Sequence, residues 1–178
     1  MQAIVAGSPE AALKVATAKA AGRTGTHHAR SEARRKTLQI LYQSQVTGLA
    51  TADILDEELY IAELGLPCNA TRLLLKGVEE NVADIDALIA STSEHWALER
   101  MPLVDLNILR LAIFEMLYLE DVPQSVAINE AVELAKCFGG EDDSSRFVNG
   151  VLGRIANQAP GSERPPRPQP QLEQPAVY

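Results

Sequence analysis

Cysteine, aromatic residues and long apolar runs are all scarce in this chain, and each scarcity closes off a class of answers. Only two cysteines, Cys68 and Cys137, occur in 178 residues, far apart and with no C-x-x-C pair. Neither a zinc site nor a disulfide scaffold is expected, and a reducing cytoplasm suits the chain. No run of about 18 apolar residues occurs, so no helical membrane span is expected. Met1 to Lys14 lack a basic segment followed by an apolar stretch, so no secretory signal is expected. Aromatics make up 4% of the residues while hydrophobic residues in all reach 46%. The core must therefore be built from Leu, Ile, Val and Ala, as in helical bundles.

The signatures of catalysis are missing as well. Neither G-x-x-x-x-G-K-[ST] nor G-x-G-x-x-G occurs. None of the histidines His27, His28 and His95 follows a Glu by three residues, which excludes the Glu-x-x-His of di-iron bundles. His27 and His28 read as surface residues, and Trp96 as packed against a long helix. The acidic runs Asp56-Glu57-Glu58 and Glu141-Asp142-Asp143 read as a solvated helix face and a helix-start cluster. No enzymatic activity, cofactor or metal is expected.

What is present is a lopsided charge map. Residues 1–36 carry seven Lys/Arg against two acids, whereas residues 37–158 carry seven against 20. A small basic patch on an acidic body concentrates positive potential in one place and can attract a polyanion there. Its densest part, Arg30-Ser31-Glu32-Ala33-Arg34-Arg35-Lys36, runs straight into an amphipathic helix. Arg30 and Arg34 are four apart, so both guanidinium groups can project from one helix face and offer forked donors to phosphates. A salt-bridged surface helix is the bland alternative.

Three regions follow from composition. Residues 1–28 form an Ala-rich extension with no sustained apolar stripe. Residues 159–178 hold six of the ten prolines and are expected to be disordered. Between them, 29–158 reads as an all-α domain of about seven helices, near 30–46, 51–64, 70–91, 94–100, 103–119, 125–138 and from Ser144 onward. Thr51, Asn69 and Ser125 are N-cap candidates. The segment 103–119 is apolar nearly all round, which places it in the middle. Gly139-Gly140 is a helix stop. Asn129, Glu130 and Asn149 interrupt apolar faces and need partners if buried; Arg110 is the expected partner of Glu130. Phe147, Val151 and Ile155 share one stripe, so Phe147 reads either as core or as an exposed stacking platform.

The stretches ARRKTLQILYQSQ, LLLKGVEENVADIDALI, VDLNILRLAIFEM and DVPQSVAINEAVELAKCFGGEDDSSRFVNGVLG together resemble the NusB family of transcription antitermination factors. The resemblance spans about 30–156, and VAINEAVELAK with FVNGVL at this separation is highly specific. It implies an all-α fold of two packed helical sub-bundles. It implies binding of single-stranded boxA RNA in nascent ribosomal RNA transcripts, with the ribosomal protein NusE as partner, in the antitermination complex of RNA polymerase. The family's RNA surface falls here on Arg30, Arg34, Arg35 and Lys36, and on Asp143, Ser144, Ser145, Arg146 and Phe147. Its NusE surface falls on Tyr42 and Asp105. Ser31 and Glu32 stand where many members have basic residues. Two other readings stay open. One is a helical protein-interaction module or self-associating dimer. The other is the helical domain of an RNA methyltransferase, which would require a catalytic region after residue 158, where only 20 residues follow.

Overall fold

The structure, a computed structural model, describes residues 26–61, 66–93, 98–140 and 143–158. Helices α1 (Thr26–Thr47), α2 (Thr51–Asp56), α3 (Asn69–Glu80), α4 (Val82–Thr92), α5 (Leu103–Tyr118), α6 (Gln124–Phe138) and α7 (Ser144–Gln158) are joined by turns, with a 3-10 turn at Leu98–Arg100. No strand occurs among the described residues. The proline tail, residues 1–25 of the extension, residues 62–64 of the expected second helix, Trp96, Glu141 and Asp142 lie outside them.

Helix α5 runs through the centre, because it is apolar nearly all round. Eleven of its 16 residues are buried. Helices α1, α3, α4, α6 and α7 all pack on it, α3 also on α1, and α7 also on α4 and α6. Ile40, Leu75, Ile89, Ile108, Ile113 and Leu152, drawn from five helices, are fully buried in one shared core. Helix α6 turns Ala127, Ala131, Leu134 and Ala135 inward, a mostly small-residue stripe at helical spacing that lets α5 and α7 come close. None of the described helices is long and apolar enough to cross a membrane.

Some boundaries differ from the sequence pattern for local reasons. Helix α1 starts at Thr26, inside the expected extension, and ends where Gly48 (φ +75°) donates its N–H to Ser44 O at 2.8 Å. That left-handed step favours glycine. The expected helix 70–91 is two helices. Asn81 (φ −116°, ψ 10°) leaves the helix and donates its side-chain amide to Gly77 O at 2.7 Å. A short amide that bonds its own backbone competes with the helical ladder at that point. Thr51 is not a cap; its hydroxyl donates to Glu79 Oε1 at 2.7 Å, tying α2 to α3. Cys68 takes the cap position expected of Asn69, and α6 starts at Gln124, one residue before Ser125, with Pro123 at its cap.

Gly77 fixes how closely α3 approaches α5. A Cβ there would lie 1.9 Å from Phe114 Cζ. The Phe114 ring is buried and stacked on Tyr118 with centroids 5.4 Å apart, so it has little room to swing away. Overpacking of this kind costs about 1–3 kcal/mol, against a helix-propensity gain of up to about 1 kcal/mol for Gly to Ala. Gly77→Ala is therefore expected to lower the denaturant midpoint, with a net loss of up to about 2 kcal/mol once the full propensity gain is set against the overpacking. A midpoint equal to or above that of the unmodified chain would show that the ring yields.

Candidate nucleic-acid interface

The basic start of α1 divides into an outer and an inner set. Arg34 falls on the same stripe as Leu38 and Leu41, at spacings of four and seven, and that stripe faces the core. Arg34 is 3% exposed. Its Nε donates to both oxygens of Glu115 on α5, at 3.0 and 2.9 Å, and its Nη1 to Glu130 Oε2 on α6 at 3.2 Å. The expected projection of Arg34 from the same outer face as Arg30 does not occur. A guanidinium on the buried stripe must meet carboxylates, and it meets two. Burial pushes the Glu115 carboxyl above its ordinary value, and the Arg34 hydrogen bonds and charge offset only part of that.

Lys36 is likewise buried. Its ammonium donates to Ile61 O at 2.7 Å and Gln39 Oε1 at 3.1 Å, and sits 4.9 Å from the centre of the Tyr60 ring. It pins the segment after α2 to α1. The outer set is Arg30, bonded to Asp121 at 3.0 Å, and Arg35, bonded to Glu32 at 3.1 Å. Both pairs reach solvent. Such pairs hold their partners weakly and can exchange a carboxylate for a phosphate.

The second expected segment divides in the same way. Ser144 is buried and donates its hydroxyl to both oxygens of Asp105, at 2.6 and 2.7 Å. Gly139 makes that approach possible: a Cβ there would meet Ala135 O at 2.4 Å and Ser144 Cβ at 2.6 Å. Arg146 stands 84% exposed beside Asp143, at 3.3 Å. Phe147 is half-buried and packs on the edge of the core, so one part of it belongs to each of its two readings.

Two partnerships differ from expectation. Arg110 bonds Asp86 on α4 through two contacts of 2.7 Å, not Glu130. Glu130 instead accepts from Arg34 and, at 2.7 Å, from the Ser31 hydroxyl. Asp105 is 3% exposed, turned toward Ser144 rather than outward. Tyr42 is half-buried and lines a narrow cleft with Arg35, Val104 and Phe138, so the structure brings it to the residue before Asp105.

A shallow groove of about 550 Å³ between α6 and α7 was not expected as a site. Ser125, Ile128, Asn129, Val132, Ser145, Arg146 and Asn149 line it. Asn129 adjoins Glu130 in the sequence, and the Ser31 and Arg34 bonds to Glu130 fix the start of α1 to the helix that carries Asn129. The signal in the sequence was the interruption of apolar faces by Asn129 and Asn149. Among the described residues no group of three or more His, Cys, Asp or Glu could hold a metal ion.

The model of the NusB family matches residues 31–157. The transcription antitermination protein NusB of Pelotomaculum thermopropionicum is 45% identical over 139 residues, which cover 76% of this chain and 94% of that protein. The structure of T. maritima NusB is similar with a TM-score of 0.62 at 36% identity, covering 77% of this chain and 94% of that one. A structure of antitermination factors NusB and NusE in complex with dsRNA has the same fold, with a TM-score of 0.59 at 23% identity over 72% of this chain and 96% of that one.

Proposed function

This chain belongs to the NusB family of transcription antitermination proteins, a non-enzymatic family, and on that premise we propose that it binds single-stranded boxA RNA of nascent ribosomal transcripts in the cytoplasm together with NusE. The observation that carries the reading is the outer basic set. Arg30 is exposed and Arg35 half-buried on a body that is otherwise acidic, and their helix is tied to α6, which with α7 forms a polar groove flanked by Arg146. In this reading Arg30, Arg35 and Arg146 meet phosphates, and the exposed part of Phe147 meets a base. Arg34, Lys36 and Ser144 act from inside, holding the surface in shape, while Asp143 and Ser145 border it. NusE takes the cleft at Tyr42, with Asp105 beneath it, and the antitermination complex of RNA polymerase forms around the pair. The working unit is 29–158.

Salt dependence tests the reading. Each phosphate neutralised on single-stranded RNA contributes about 0.7 to the slope of log affinity against log salt. Replacing Arg30, Arg35 and Arg146 together with Ala is expected to flatten the slope for boxA RNA by about 2. Melting should stay nearly unchanged, because all three side chains reach solvent. An unchanged slope would show that these arginines do not touch phosphate.

A further inference from the structure

The groove between α6 and α7 combines features that the phosphate contacts do not need. Ser125 and Asn129 stand one turn apart on α6, and Ser145 and Asn149 stand one turn apart on α7. Ile128 and Val132 supply methyl groups to the same concavity, and Arg146 stands at its side. Asn129 and Asn149 are exposed, and among the described residues neither amide is engaged by another group of the chain. Asn is a middling helix former, and both sit inside helices, so neither is there to stabilise its own helix.

We propose that this groove is a base-reading subsite, in which the amides of Asn129 and Asn149 bond the edge of one unpaired nucleobase of the RNA. The inference rests on the boxA reading and deepens it by separating where sequence is read from where charge is neutralised. Each amide offers a donor beside an acceptor, the pattern that matches an adjacent acceptor and donor on a base edge. The Ile128 and Val132 methyls give the flat base an apolar floor, and Arg146 can hold the neighbouring phosphate. Glu130, next to Asn129 in the sequence, holds Ser31 and Arg34, so the helix that carries Asn129 is fixed to the helix that carries the outer basic set. Single-stranded RNA suits the groove better than a duplex, whose base edges are not splayed out.

The test compares the unmodified chain with Asn129→Ala, Asn149→Ala and the double variant. Each is titrated with boxA RNA and with a set of RNAs carrying one base change at each position. The unmodified chain should reject the changed base at one position by about 5- to 150-fold, the range for a paired amide–base contact. The double variant should lose that rejection, binding both RNAs as the unmodified chain binds the changed one. Its salt slope and melting should stay the same, since neither residue neutralises phosphate or fills the core. Full discrimination in the double variant would overturn the subsite while leaving the boxA reading intact. Failure of the unmodified chain to bind boxA RNA would overturn both.

Discussion

Replacing Arg34 with Ala is expected to cost about 3–5 kcal/mol of folding stability, the usual consequence of removing one partner from a buried ion pair. The variant leaves Glu115, with a side chain 4% exposed, and Glu130, 18% exposed, facing each other without the cation between them. The loss should be pH-dependent in a defined direction. Burial already holds the Glu115 carboxyl above its ordinary value of 4.5, and the Arg34 hydrogen bonds and charge are the main influences pulling it down. Without Arg34 the folded-state value rises further. A group with a raised folded pKa favours folding fully below its unfolded value, and that contribution is lost as pH rises through the folded value. The deficit of Arg34→Ala should therefore be largest at neutral pH and shrink as pH falls toward 4.5. Denaturant unfolding of both proteins across this interval measures it. A constant deficit would show that Glu115 keeps its charge by another route. A negligible deficit at neutral pH would place Arg34 at the surface with Arg30 and Arg35.

Asp105→Lys is expected to be at least as damaging, also on the order of 3–5 kcal/mol, because it buries an ammonium where a carboxylate now accepts the Ser144 hydroxyl. Asp105→Asn keeps an acceptor for that hydroxyl and should cost no more than about 1.5 kcal/mol. Calorimetry on the two variants separates a buried hydrogen-bonding role from that of an outward-facing partner charge. Loss of NusE binding by Asp105→Lys would then follow the unfolded fraction, whereas Tyr42→Ala would weaken NusE with the fold intact. An Asp105→Lys protein that melts like the unmodified chain would mean that the side chain reaches solvent and faces the partner directly.

The two residues show what the sequence could and could not disclose. The all-helical class, the central place of α5 and the stop at Gly139 follow from periodicity and composition, and they stand in the structure. The sequence placed Arg34 outward with Arg30, although Arg34 also shares a stripe with Leu38 and Leu41 that turns inward. A charged residue on an apolar stripe is legible only when its counter-charges are known. Those counter-charges, Glu115 and Glu130, lie 81 and 96 residues away. Pairing at that distance has no local signature, and so Arg110 was the expected partner of Glu130. Asn81 fails for the opposite reason. Its break is wholly local, but the apolar stripe of 70–91 carries on through it. The groove of Asn129 and Asn149 arises where two helices meet, and neither helix shows it alone. Membership of the family was carried by specific stretches such as VAINEAVELAK; charge and periodicity led only as far as a helical protein with a basic patch.

The long reach of the Arg34 contacts also sets an order of events during synthesis. Helix α1 leaves the ribosome first, carrying a guanidinium that belongs inside the protein and two arginines that belong outside. Glu115 follows 81 residues later, and Glu130 96 residues later. At about 5–20 residues per second the wait is roughly 5–20 s. Through that interval α1 can pack on α2 and α3 and Lys36 can reach Ile61, but the Arg34 guanidinium has no counter-charge to meet. The Ser31 and Arg34 bonds to Glu130 close only when α6 has emerged, so the outer arginines gain their fixed spacing to Arg146 near the end of translation. Incomplete chains thus carry the charge of the finished protein without its geometry, and the geometry arrives almost at once with the last two helices.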